Sequence, residues 1–380
     1  MIRQRLLFAF VMLGLLAACT RPVPQETRSP TVVSPLTRTS PLVPGNTPKP
    51  SLVPVSPTPA PRLTPTIRTQ LATRTRIYLP LVLLTKRVSS VPSTLIPKNL
   101  GGLHIEGGGD HTGYEELLRA CAKANRPVGL IKVYGDGYSA RLAKEADPRT
   151  ITIYRKPSKV GHDDYEDNPP GDWTWPANET ADRARRWMEG MYPDWNDNRQ
   201  YIDYFEIVNE PNPATITQTL RAAEFMMEAM KLAEQYDPPY RLAIWSFSSG
   251  TPEPWQADKI AYTLKYAAEH GHILAIHDGS VDSERQLFRQ AYEDGTAFRY
   301  RMFFSLLGKS MPRVAITEAY QPRGYLEPDW ADWQWYLTEL AKDDVIGAAW
   351  FTLGPYSFGG GTDVNVFRQL PDFADALGCR

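Results

Sequence analysis

The chain has 380 residues, 42% hydrophobic and 22% charged, and a formal net charge of −1. That total hides an asymmetry: residues 1–87 carry 12 Lys/Arg against the single acidic residue Glu26, and residues 88–380 carry 30 Lys/Arg against 42 Asp/Glu. An acidic folded part argues against nucleic acid as its ligand, and the chain shows no Ser-His-Asp signature, P-loop or zinc-ligand spacing.

The N-terminus reads as an export signal. Arg3 and Arg5 precede an apolar run, residues 6–16, that is too short to span a bilayer comfortably. Leu16-Ala17-Ala18-Cys19 follows and resembles the lipobox of bacterial lipoproteins. The resemblance implies a lipoprotein signal peptide over 1–18 and lipidation of Cys19. It also implies an exported protein tethered to the bacterial membrane at the cell surface by acyl chains. An ordinary signal peptide with a chance cysteine is the alternative. Residues 19–76 form a disordered Pro/Thr/Ser-rich stalk, since residues 20–66 hold 13 of the 34 prolines and cannot build a core. The stalk's positive charge serves solubility or draws it to anionic lipid or wall polymer. Residues 77–97 are a connecting segment whose apolar stretch, 77–84, is broken by Pro80 and suits a sheet edge.

From residue 98 to 380 the pattern is that of one large α/β domain. Short apolar runs lie at 103–105, 128–133, 151–154, 204–208, 242–245, 273–276, 314–316 and 347–351. Each is apolar on both faces, as a parallel sheet requires. Helical periodicity separates them. Tyr114, Leu117, Leu118 and Cys121 are spaced for one face of a helix, as are Phe225, Met226, Ala229, Met230 and Ala233. Residues 139–146, 182–191, 258–268, 284–307, 329–340 and 365–377 also read as helical. Strand–helix alternation repeated eight times predicts a (β/α)8 TIM barrel. The third connection, residues 155–176, is long, polar and aromatic, with His162, Asp163, Asp164, Asp172, Trp173 and Trp175. Its acidic residues lack a metal-ligand spacing, so it reads as a solvated loop over the substrate rather than a metal site.

Asn209-Glu210-Pro211 closes the fourth strand, and Glu318 follows the seventh, Val314-Ala315-Ile316-Thr317. Two strand-end carboxylates can face one sugar carbon, which is what glycosidic cleavage needs. In this register the domain resembles clan A glycoside hydrolases, the retaining barrel enzymes that include family 5 cellulases and mannanases. The resemblance implies Glu210 as acid/base, Glu318 as nucleophile and Asn209 as a contact to a sugar hydroxyl. It places an aromatic floor at Trp350 on strand eight, unless that indole is barrel packing. His277 after strand six is either a site residue or structural. Family 5 often has His, one residue, then Tyr there; here the text is His277-Asp278-Gly279, so the tyrosine that would orient the nucleophile is either missing or supplied from elsewhere, with Tyr320 the candidate. Lys132 and Arg155 are the nearest charged candidates for the Arg and His that the family carries on strands two and three. Glu206, four residues before Glu210, reads as an interior or helix-facing structural charge. His104 and Glu106 precede Gly107-Gly108-Gly109, read as a flexible rim.

With Cys19 lipidated, Cys121 and Cys379 remain. Cys121 lies near the end of the first helix and Cys379 just past the last, and those helices are neighbours in a closed barrel. In an exported chain they either pair or stay as one buried and one exposed thiol. The expectation is thus a surface-anchored retaining glycoside hydrolase acting on β-linkages in an extracellular poly- or oligosaccharide, monomeric, with no cofactor, metal or nucleic acid. The alternatives are a non-catalytic carbohydrate-binding barrel and a structural envelope lipoprotein.

Overall fold

Eight parallel strands close on themselves in chain order, and helices separate them in sequence. The computed structural model describes residues 99–107, 111–135, 137–156, 173–280, 287–321, 328–354, 357–358, 362–363 and 366–380. The export signal, Cys19, the stalk, the connecting segment and most of the 155–176 loop, including His162, Asp163, Asp164 and Asp172, lie outside them.

The elements run β1 (Gly101–Glu106), α1 (Tyr114–Lys123), β2 (Leu130–Tyr134), α2 (Gly137–Ala146), β3 (Ile151–Arg155), α3 (Thr180–Asn198), β4 (Tyr204–Glu206) and α4 (Ile216–Ala233). The second half continues with β5 (Leu242–Phe247), α5 (Pro254–His270), β6 (Ile273–Gly279), α6 (Phe288–Asp294), α7 (Phe304–Leu307), β7 (Val314–Tyr320), α8 (Trp330–Leu340), β8 (Val345–Leu353), the two-residue strands β9 (Ser357–Phe358) and β10 (Thr362–Asp363), and α9 (Leu370–Ala376). Strand β8 pairs with β1, with Leu103 opposite Trp350, and so closes the ring.

Side chains inside and outside the ring form separate clusters. Leu130, Ile153, Tyr204, Ile273 and Ile346 fill the barrel with small residues such as Ala243 and Ala349 between them. The larger outer cluster lies between the strands and the helices and includes Ile131, Phe205, Leu274, Ile316 and Trp350. This is the alternation that period-2 strands impose. At the base the strands crowd: a Cβ on Gly102 would lie 1.6 Å from the Leu130 carbonyl oxygen, so only glycine fits there.

Two helix expectations change. Residues 284–307 do not form one helix: α6 stops at Gly295, which takes the left-handed conformation at φ 72°, and Phe298 at φ 58° turns the chain again before α7. The last helix starts at Leu370 rather than 365, with Pro371 in its first turn, where a missing N–H costs nothing. Cys121, at 0% exposure in α1, and Cys379, just past α9, are joined by a disulfide with Cα atoms 4.4 Å apart.

Candidate active site

The upper ends of the strands depart from regular pairing, and those departures aim the site. In β7 the pairing with β6 runs Ile276 opposite Ile316 and then His277 opposite Glu318, so Thr317 is an extra residue. Ile316 and Ala319 pack in the outer cluster. Without the extra residue, strict alternation would turn Glu318 toward the helices; the bulge turns it inward. In β5 the pairing jumps from Ile244–Leu274 to Phe247–Ile276. Trp245 (φ 76°) and Ser246 (φ 37°) occupy the bulge. Opposite them Val208 (φ 56°) and Glu210 (φ 44°) follow β4, and the Glu210 amide donates to the Ser246 carbonyl at 3.0 Å. Four non-glycine residues at positive φ in one patch represent roughly 1–3 kcal/mol of strain each, a cost that clusters where side chains must be aimed.

The inward groups form one network. His277 on β6 sits between the two candidate carboxylates. Its Nδ1 is 2.9 Å from Glu210 Oε1, and its Nε2 is 3.1 Å from the Ser246 hydroxyl and 3.6 Å from Glu318 Oε1. Lys132, fully buried on β2, donates to Glu318 Oε1 at 2.8 Å and lies 2.9 Å from Glu206 Oε1. Arg155 Nη1 is 3.3 Å from both of these carboxylates and also donates to the Asn209 side-chain carbonyl. The Arg155 guanidinium lies 4.8 Å from the centre of the Tyr134 ring. His104 on β1 places Nε2 3.8 Å from Glu318 Oε1 and holds Thr352 Oγ1 at 2.8 Å through Nδ1.

Burial and charge give the carboxylates different characters. Burial alone would raise the Glu318 pKa. His277, Lys132 and Arg155 outweigh it and hold the group well below the usual carboxylate range. Glu206 is lowered in the same contest, burial opposed by Lys132 and Arg155. Glu106 has the opposite outcome: burial pushes it up to about 7, against the pull of Arg155 and Lys132. Burial and the nearby Lys132 keep His104 well below its ordinary value, hence neutral. The side chain of Glu210 is 41% exposed against 12% for Glu318. One carboxylate is therefore sunk among cations and the other reaches solvent.

Of the residues singled out in the sequence, the structure brings together Glu210, Glu318, Asn209, His277, Lys132 and Arg155. Tyr320 joins them: it shares the inward face of β7 with Glu318, packs against Phe351, and has its hydroxyl pushed up to about 12 by burial, with Ser249 opposing and Glu210, Glu318 and Asp278 adding to the rise. Gly279 is required beside it, since a Cβ there would lie 2.4 Å from the Tyr320 carbonyl oxygen and 2.9 Å from a carbon of its ring. Trp350 does not join them. It is 0% exposed on the outer face of β8, with ring centroids 5.1 Å from both Trp330 and Trp333. The inward aromatic is the next residue, Phe351, 4.7 Å from the His104 ring. Glu206 is interior and touches the site's cations. Trp173 and Trp175, expected in a solvated loop, are buried against Phe225 of α4.

Ser246, Thr352 and Phe351 are site members without a sequence signal, and His104 and Glu106, expected in a flexible rim, are buried on β1. For His104 and Glu106 a signal existed: they alternate with Leu103 and Ile105, so a period-2 strand puts both inside. No group of His, Cys, Asp and Glu able to hold a metal ion occurs among the described residues.

No protein-family model matches the chain, and no curated protein matches it. Solved structures with a similar course include a beta-glycosidase (12% identity, 70% of this chain and 86% of that chain, TM-score 0.42). A GH39 enzyme from Xanthomonas axonopodis pv. citri matches at 14% identity over 70% of this chain and 62% of that chain, TM-score 0.42. A glucosidase from Croceicoccus marinus matches at 11% identity over 74% and 68%, TM-score 0.46.

Proposed function

We propose that the chain is a retaining glycoside hydrolase that cleaves β-glycosidic bonds of an extracellular poly- or oligosaccharide by double displacement. The observation that carries the reading is the contrast between Glu318 and Glu210 across His277. Glu318 is buried, ionised and within reach of two fixed cations, as a nucleophile must be. Glu210 is open to solvent, as suits a group that gives a proton to a leaving oxygen and then takes one from water. Asn209, tied to Arg155 beside Glu210, is placed to meet a sugar hydroxyl. Phe351 rather than Trp350 offers the aromatic face. The lipobox-like Leu16-Ala17-Ala18-Cys19 and the Pro-rich stalk support export and a lipid tether, so the substrate is one met outside the cell.

Incubation with 2-fluoro β-glycosides bearing a dinitrophenyl leaving group, followed by peptide mass spectrometry, tests the nucleophile. A sugar attached to Glu318 is expected, and attachment elsewhere refutes the assignment. Proton NMR of the first-formed product should show retained configuration. A non-catalytic carbohydrate-binding barrel would show neither, while still shifting its melting temperature with sugar. Detergent partition of wild type against Cys19→Ser tests the tether; wild type in the aqueous phase would remove it.

A further inference from the structure

Lys132, Arg155, Glu206 and Glu318 form a linked set of two cations and two carboxylates. Lys132 Nζ lies 2.9 Å from Glu206 Oε1 and 2.8 Å from Glu318 Oε1. Arg155 Nη1 lies 3.3 Å from each. The side chains of Lys132 and Glu206 are fully buried, and those of Arg155 and Glu318 are 9% and 12% exposed. Each cation thus lies at nearly equal distance from Glu318 and from the fully buried Glu206.

We propose that Glu206 is a positioning residue: by taking half of the positive charge of Lys132 and Arg155, it sets the balance between the two half-reactions at Glu318. The inference rests on Glu318 being the nucleophile. In the first half-reaction the glycosidic C–O bond breaks, Glu210 gives its proton to the departing oxygen, and Glu318 bonds to the anomeric carbon. In the second, water attacks that carbon, Glu210 takes the water's proton, and the bond to Glu318 breaks, releasing it as a carboxylate. Cations that hold Glu318 as an anion therefore oppose the first step and assist the second. With Glu206 neutralised, both cations act more strongly on Glu318, in surroundings where water screens little. Formation of the glycosyl-enzyme slows and its breakdown quickens. A residue that only held the barrel together would slow both.

The test is stopped-flow release of dinitrophenol from 2,4-dinitrophenyl β-glucoside and β-cellobioside by wild type, Glu206→Gln and Glu206→Asp. For Glu206→Gln the burst rate should fall roughly tenfold or more and the steady-state rate of glycosyl-enzyme breakdown should rise about twofold or more. Glu206→Asp keeps the charge with a shorter reach and should show the same opposed pair at smaller size. It decides the matter if Glu206→Gln shows no cooperative melting. Both rates falling together, or neither moving, overturns the role of Glu206. If wild type shows no burst and no 2-fluoro sugar on Glu318, the hydrolase reading itself fails and takes this inference with it. Labelled Glu318 with parallel half-reaction changes sinks the inference alone.

Discussion

Trp350 and Phe351 are adjacent in β8 and lie on opposite sides of the barrel wall. Trp350 packs on Trp330 and Trp333 of α8, while Phe351 meets His104 and Tyr320 on the inner side. Truncating the two should therefore separate stability from function. Trp350→Ala removes a fully buried indole and should cost about 3–5 kcal/mol of unfolding free energy with turnover at low temperature largely kept. Phe351→Ala should leave melting less affected and lower kcat/KM about tenfold or more, through lost stacking on the sugar and a loosened His104. Denaturant titration and kinetics on both variants check this; a Trp350 variant that is stable but inactive would put the indole back in the site.

The two carboxylates should fail differently. Glu318→Ala should lose nearly all turnover on every substrate, since no covalent intermediate forms. Glu210→Ala should lose about 10²–10⁴-fold on substrates with poor leaving groups and far less on dinitrophenyl glycosides, which need no protonation. Equal losses on both substrate kinds would deny Glu210 the acid role.

The acid groups shifted upward predict a pH effect on stability. Burial raises Glu106 and Asp278 to about 7, so between their ordinary values and pH 7 the folded state keeps protons that the unfolded chain releases. Stability contributed by these groups falls as pH rises through that window. Glu318 and Glu206 act the other way: their contribution is present above the usual carboxylate range and is lost as pH drops toward their lowered values. Melting temperature measured from pH 4.5 to 7.5 should fall less steeply in Glu106→Gln than in wild type. An identical slope would mean that Glu106 ionises normally in the folded protein.

How far the barrel was legible from sequence can be judged strand by strand. The apolar runs located all eight strands because buried parallel strands are apolar on both faces. The runs also ended too early. β5 extends to Phe247 and β6 to Gly279, beyond the apolar text, because Ser246, His277 and Asp278 sit on strand ends and interrupt the hydrophobic signal. The residues that build the site are thus the ones that hide the strand. The one-residue error at Trp350 has a related cause: side-chain direction reverses at every step, and nothing in the local text of β8 says which aromatic points inward. The bulge at Thr317 was equally invisible, since it is defined by pairing with β6 and not by residue type.

The cysteine pair should be oxidised in exported protein. Non-reducing peptide mapping should recover Cys121 linked to Cys379, and Cys121→Ser should lower the melting temperature. The crosslink spans a sequence separation of 258 residues, and the loop-closure entropy it removes from the unfolded chain is worth up to ~5 kcal/mol. Two thiols open to alkylation without reductant would contradict the pairing.

The same crosslink alters what a protease can do to the molecule. Seven of the eight barrel strands, with Glu206, Glu210 and Glu318, lie between Cys121 and Cys379, so a single cut anywhere in that span opens a loop without releasing a fragment. The two pieces remain one covalent molecule whose halves stay at high effective concentration for each other. Reduction of the disulfide in a nicked sample is then what lets the pieces part.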